Sequence, residues 1–461
     1  MLQTVALPRP PAPVPRAQPL GVLSLLKVLA TNPLEAWTRK HFEDPVVAGG
    51  LPFGRAVVVS EPGAIRRVLL DNPRNYEKDW MQRRILSAGL ADGLLSAEGH
   101  QWRVQRRALA PLFSRRSVMS FAGAVTASAD ALIARLDCRT SDVVDVGAEV
   151  TRLTLDVLER TIFSDGIGAD REDVRLAMQR YFEVASRIDP FDILGLPAAI
   201  PRPRRLTVWS TLRFFEKTID TLIATRRRRL AEAPDGVPQD LLTLLLNATD
   251  PQTGAKLSEA EVRANVLTFI AAGHETTANC LTWSLYLLSQ SPEWVARLRA
   301  EAGRELDKDD ITTLADRLVE TRAVIDESNR LYPPISAISR VARGPDELGG
   351  HAVRRGTMVV IAPYVLHRHR TLWRNPNRFD PSRFLPGARE GIDRFAYLPF
   401  GAGPRVCIGS AFALQEACVT LASLARSFDW ALAPGHVVRP IQKMTLRPDG
   451  GMPMILRRRR G

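Results

Sequence analysis

The stretch Phe400-Gly401-Ala402-Gly403-Pro404-Arg405-Val406-Cys407-Ile408-Gly409 holds one cysteine in a loop punctuated by glycine and proline. The residues that follow, Ser410 to Ala417, are good helix formers. Cys407 therefore sits just ahead of a helix N-terminus, where orphan backbone N–H groups and the positive end of the helix dipole favour a thiolate. The thiolate is the form of cysteine that binds a metal. Arg405 adds positive charge two residues upstream, and Gly401, Gly403 and Gly409 let the backbone close tightly around the sulfur.

Three further patterns stand with this loop. Ala271-Ala272-Gly273-His274-Glu275-Thr276-Thr277 lies inside a run, 258–290, that reads as one long helix, apolar nearly all round and so buried. Glycine and paired threonines are poor helix formers, and a local rule broken inside a buried helix marks a functional site. Trp102 and Arg106 stand four apart, on one helix face, in His100 to Phe113. An amphipathic basic helix would explain that pair equally well. Glu327 and Arg330 share one helical turn, the double proline Pro333-Pro334 then ends the helix, and Pro381-Ser382-Arg383-Phe384 follows downstream.

Together these segments resemble the cytochrome P-450 superfamily. The cysteine loop is similar to the family's haem-binding Phe-x-x-Gly-x-Arg-x-Cys-x-Gly, and the mid-helix stretch to its Ala-Gly-x-(Asp/Glu)-Thr-Thr. The resemblance runs from about residue 50 to the end, with every motif in family order. It implies a mostly α fold, a triangular helical prism with a long central helix over the haem and a small β-rich region. Haem b, held without a covalent link, is the implied cofactor. Cys407 is then the axial thiolate of the iron, pushing electron density toward O–O cleavage. Phe400 packs beside the sulfur, and Arg405 and Gly409 complete the loop. Trp102, Arg106 and Arg340 bind the haem propionates; a guanidinium fork suits a carboxylate. Gly273 leaves room for dioxygen, while Glu275 and Thr276 deliver protons by relay. His274 falls at a position that varies in the family and is read as a non-ligand. Glu327, Arg330 and Arg383 form a buried structural triad that holds the cysteine loop. The pocket is expected to be apolar, with Leu94, Ile270, Ala271, Ile335, Ile338 and Met444 facing an apolar small molecule.

The implied reaction is insertion of one oxygen atom of O2 into a C–H bond. Electrons are expected from NAD(P)H through an external reductase and a ferredoxin or flavodoxin, because no four-cysteine cluster pattern or flavin segment occurs in the chain. Arg103, Arg107, Arg115 and Arg116 are basic residues left over for docking such an acidic partner. A peroxide-using haem-thiolate enzyme and a non-catalytic haem sensor or carrier remain open; the acid–alcohol pair argues against the first, and neither relay nor lid would serve the second.

Composition sets the outer bounds. The 461 residues are 45% hydrophobic and 25% charged, ordinary for a globular protein. A formal charge of +13 permits nucleic-acid binding. However, the runs Arg226 to Arg229 and Arg457 to Arg460 lack interleaved aromatics, and no nucleic-acid fold signature is present. Four widely spaced cysteines, 138, 280, 407 and 418, with no Cys-x-x-Cys, point to a reducing compartment. No run of eighteen apolar residues predicts a transmembrane anchor; Leu20 to Ala30 is short and broken by Lys27. The sequence reads as a cytoplasmic bacterial monomer. Residues 1–35, with six prolines in the first nineteen, are expected to be a disordered leader ahead of a single domain, 36–461.

The elements that must position these groups follow from periodicity. Strands are expected at 55–60, 357–362, 443–446 and 452–457, with an alternating segment after Pro334. Helices are expected at 62–70, 117–137, 145–163 and 171–187. Asn75 to Leu95, with Trp80, Met81 and Ile85, reads as a recognition loop. Asp189 to Arg205, rich in proline, reads as a mobile lid or an ordinary surface loop.

Overall fold

The apolar run at 258–290 becomes an unbroken helix, Glu259–Ser289, in a computed structural model that describes residues 9–51, 54–79, 82, 92–139, 141–164 and 203–459. Six helices matter for the site: α1, Val22–Thr31; α2, Gly99–Leu109; α3, Val146–Ile162; α4, Glu259–Ser289; α5, Val319–Leu331; and α6, Ser410–Ser427. Others span Ala122–Asp137, Pro203–Glu232 and Pro292–Glu305. The start of α4 is set by a capping box: Glu261 N–H donates to Ser258 Oγ at 3.2 Å, and Ser258 N–H donates to Glu261 Oε2 at 2.9 Å.

The chain divides into two compact units. One comprises Met1–Asp79, Val125–Thr151 and Thr276–Gly461; the other comprises Trp80–Ala124 and Arg152–Glu275. The helices α3 and α4 each contribute to both.

Every strand among the described residues belongs to the first unit. These are β1, Val46–Leu51; β2, Gly54–Val59; β3, Tyr76–Glu77; β4, Val143–Asp145; β5, Ile338–Ala342; β6, Asp346–Leu348; β7, His351–Val353; β8, Met358–Ile361; β9, Phe428–Leu432; β10, Pro440–Gln442; β11, Leu446–Pro448; and β12, Pro453–Arg458. A five-stranded sheet runs β1-β2-β8-β5-β3, with β2 and β8 parallel and the other pairs antiparallel. The β-branched run of β2 explains its place: Val57 pairs with Val359 of β8, and both are buried with Val59, Ile65 and Ile361. In this sheet β5 brings Arg340 opposite Val359. Buried side chains face α6 on nearly all sides from Phe412 to Ala425, which fits its apolar sequence. In α5 the buried residues include Asp326, Glu327 and Arg330, charges that a core holds only when paired.

The second unit is helical among its described residues, with α2, the later part of α3, the first half of α4 and Pro203–Glu232. No described helix is long and apolar enough to cross a membrane.

Two expectations change. From residue 9 the leader is ordered: α1 forms, Arg16 bridges Thr38, and Tyr332 Oη donates to the Pro11 carbonyl at 2.7 Å. Proline lacks an N–H but keeps its carbonyl, so a Pro-rich segment can still be tied down as an acceptor. The expected strand 443–446 is instead the turn between β10 and β11, closed by Lys443 N–H to the Thr445 carbonyl at 3.0 Å. The expected helix 171–187, the lid up to residue 202, and Trp80, Met81 and Ile85 lie outside the described residues.

Candidate functional site

In the first unit, Cys407 lies between the one-turn helix Gly403–Arg405 and α6. Gly401 and Gly403 both take φ of 71°, a left-handed conformation that disfavours any other residue. Gly403 is doubly required, because a side chain there would run into the Leu69 carbonyl. Cys407 N–H donates to the Phe400 carbonyl at 2.9 Å, which closes the loop. Cys407 is in no disulfide and is exposed, and no side chain caps the N-terminus of α6. A thiolate there meets uncapped N–H groups and the helix dipole. Phe400, Arg405 and Gly409 are half-buried around it.

Backbone upstream of the loop is tied to α5. Arg330 pairs with Glu327 through two hydrogen bonds, 2.6 and 2.8 Å, with both side chains fully buried. Its remaining N–H groups go to the carbonyls of His367, Pro376 and Arg378 at 2.7–2.9 Å. Glu327 Oε1 also accepts the Asp380 N–H at 2.8 Å. Arg383 stands farther off, at 3.7 Å from Glu327, outside hydrogen-bond range, and burial pulls its pKa down. The expected triad is thus a bidentate pair with a looser third member. His367, which the sequence reading passed over, is fully buried and accepts the Leu398 N–H at Nε2, 2.8 Å. Burial, with Arg330 beside it, pushes its pKa down to about 3, so the imidazole is neutral.

Arg340 donates to the Ser339 carbonyl at 2.7 Å. Ile335 is 41% exposed between buried neighbours. Ile338 reaches toward Gly401 of the cysteine loop, 3.8 Å from where a Cβ would stand. Met444 is half-buried beside Thr445, whose hydroxyl accepts from Asn279 of α4 at 2.9 Å.

On α4, Ala272 is exposed and Glu275 and Thr276 are half-buried, within a helix otherwise largely buried here. At about 100° per residue, Thr276, Ala272 and Phe269 share one face, whereas Ile270 and Ala271 point about 120–140° away from it. Thr277, on another face, hydrogen-bonds the carboxyl of Glu416 on α6; Glu416 is buried, and burial pushes its pKa well above the carboxylate range.

In the second unit, Trp102 and Arg106 are half-buried on α2. Arg107 is not available for docking: it grips Asp250 through two hydrogen bonds, 2.7 and 2.6 Å, with the Asp250 side chain fully shielded. Those bonds hold the Asp250 carboxyl well below its usual range. Arg103, Arg115 and Arg116 are exposed. Leu94 is buried, its N–H donating to Asn265 Oδ1 at 2.9 Å, and Asn265 donates to Gln105 Oε1 at 3.0 Å. Gly93 is needed for this approach, since a Cβ would stand 2.6 Å from the Ala264 carbonyl. Gly273 also serves helix packing, beside the room for dioxygen expected of it. A Cβ there would meet Leu158 of α3 at 3.2 Å, so its small size serves helix packing. His274 is buried, its Nδ1 lies 3.1 Å from the Ile270 carbonyl, and burial pushes its pKa down to about 4. Among the described residues no group of three or more His, Cys, Asp or Glu could hold a metal ion.

A single thiol in a left-handed glycine loop would supply one thiolate ligand to a haem iron. Half-buried arginines suit carboxylates at its edge. The donor set therefore fits haem.

Comparison with known proteins agrees. The profile of the Cytochrome P450 family matches residues 8–454. "Cyclooctat-9-en-7-ol 5-monooxygenase" of Streptomyces melanosporofaciens is 34% identical over 82% of this chain and 81% of its own. "Cytokinin hydroxylase" of Arabidopsis thaliana is 30% identical over 87% of this chain and 78% of its own. Among solved structures, the cytochrome P450DA heme domain superposes with a TM-score of 0.82, 26% identity, and 98% coverage of both chains.

Proposed function

The chain belongs to the cytochrome P450 family and is a haem-dependent monooxygenase acting on small molecules, and we propose that Cys407 is its axial iron ligand. The observation that supports this reading best is the exposed Cys407 thiol ahead of the uncapped α6. Haem, when bound, supplies the activation of O2. The protein's part is to bind, orient and move protons. Phe400 and Arg405 flank the sulfur. Trp102 and Arg106, and separately Arg340, hold propionates. Thr276 would offer a hydroxyl, and Glu275, one residue before it, would pass protons to it. Glu327, Arg330 and Arg383 keep the loop in place.

Electrons come from NAD(P)H through a reductase and an acidic ferredoxin or flavodoxin. Arg103, Arg115 and Arg116 are exposed and suit its docking; charges at a rim mainly speed encounter. The substrate is an apolar small molecule, for which Ile335 and Met444 of the first unit are suited. We further propose that the protein works as a cytoplasmic monomer.

The test starts from a compound selected by its low- to high-spin shift. It is incubated with isotopically labelled O2, a ferredoxin, its reductase and NAD(P)H. The proposal expects product carrying one labelled oxygen only when electrons are supplied. Product formed from peroxide alone would make the chain a peroxide user, and a spin shift with no product under either condition would make it a carrier.

A further inference from the structure

The backbone on the way to Phe400 and Cys407 has one buried N–H whose acceptor is a side chain. Leu398 is 2% exposed, and its N–H ends on His367 Nε2 at 2.8 Å. With Nε2 accepting, the proton of the neutral ring sits on Nδ1. The ring lies near the carbonyls of Asn329 and Arg330, and Nδ1 makes no hydrogen bond among the described residues. Those carbonyls belong to the last turn of α5, where a helix leaves its C=O groups without intrahelical partners. The carbonyl of His367 is itself fixed by Arg330 Nη1 at 2.7 Å. His367 thus stands between the Glu327–Arg330 pair and the entry to the cysteine loop.

From Leu398 the ties run on by backbone alone. Gly401 N–H donates to the Leu398 carbonyl at 3.2 Å, and Cys407 N–H donates to the Phe400 carbonyl at 2.9 Å. Farther along, Gly403 abuts the Leu69 carbonyl. The upstream end of the loop is therefore set at Leu398, and a shift there moves Phe400 and the Cys407 N–H together. Resting on the reading of Cys407 as axial ligand, we propose that His367 is a positioning residue for the thiolate: it fixes the Leu398 N–H and so the placement of the sulfur.

A matched control exists next door. Tyr397 Oη donates to the Asp326 carbonyl at 2.7 Å, a second tie to α5 that leaves the Leu398 N–H untouched. The experiment records the reduced CO spectrum and the iron reduction potential of the holoprotein and its variants at equal haem content. His367→Leu leaves a buried N–H without an acceptor and should raise the share lacking the red-shifted Soret band roughly tenfold. His367→Gln, whose amide oxygen can accept the same N–H, should restore most of the band. Tyr397→Phe should leave band and potential unchanged. Equal effects of Tyr397→Phe and His367→Leu, or an unaltered spectrum and potential in His367→Leu, would overturn the proposal. If His367→Leu yields no folded holoprotein, hydrogen exchange of the parent decides: the Leu398 amide should be among the slowest, and rapid exchange there refutes the role. Failure of the Cys407 assignment would show separately, as a Cys407→Ala protein that keeps the band.

Discussion

The grip of α5 on neighbouring backbone at Glu327 and Arg330, and the stretch Ala272 to Thr276 of α4, are built on opposite principles. The Glu327 and Arg330 side chains are fully buried, the pair is bidentate, and the spare N–H groups of Arg330 are spent on three backbone carbonyls. At Ala272 to Thr276 the helix carries weak formers, an exposed alanine and two half-buried polar side chains. The first arrangement admits one geometry. The second sets two only half-buried polar side chains in the middle of a helix that is otherwise largely buried. In the proposed roles, an iron ligand must hold still, whereas an acid–alcohol pair must be refilled after each use.

Breaking the grip should therefore cost the most. Glu327→Ala leaves the Arg330 guanidinium buried without its carboxylate, and such changes cost about 3–5 kcal/mol. Chemical denaturation should show a loss of that size together with poor haem retention. A loss below about 1 kcal/mol would mean the core is more hydrated than the geometry states.

Gly273→Ala sets two terms against each other. A helix interior gains about 1 kcal/mol from alanine over glycine. Overpacking against Leu158 costs about 1–3 kcal/mol. A modest net destabilisation is expected, and Leu158→Val added to it should recover stability. If Gly273→Ala alone stabilises the protein, Leu158 gives way freely and the packing role fails.

A smaller and pH-dependent effect belongs to Asp250. Its folded pKa is depressed by the Arg107 hydrogen bonds. Its contribution is thus fully present above the unfolded value of about 4 and is lost as pH falls through the folded value. Asp250→Asn should destabilise at neutral pH and flatten that part of the acid limb. Identical acid limbs in parent and variant would show that the pair carries no linkage.

Thr276→Ala should barely touch stability, within about 0.5 kcal/mol. It should keep the substrate spin shift while product per NAD(P)H consumed falls. Full coupling in this variant would remove Thr276 from proton handling and erase the contrast between the two regions.

Much of this was legible in the sequence where a signal is local. The apolar run of α4, its capping box, the β-branched run of β2 and the i,i+3 pair of Glu327 with Arg330 all lie within one element. Contacts between distant segments left no such trace. Arg107 and Asp250 are 143 residues apart, so Arg107 looked like a spare surface charge. His367 and Leu398 meet across 31 residues through a backbone N–H that no residue type announces. Gly273 was read from its neighbours in the motif, while its packing partner Leu158 sits on α3. Proline spacing in the leader argued against helix, as residues 9–19 show, but said nothing about carbonyls as acceptors, such as that of Pro11.

The central claim is that Cys407 supplies the thiolate. The most direct measurement is the reduced CO spectrum of the parent protein beside Cys407→Ala and Cys407→His, each loaded with haem to the same content. The parent should show the strongly red-shifted Soret band of a thiolate-ligated iron, and both variants should lack it. A red-shifted band that survives either substitution would contradict the account.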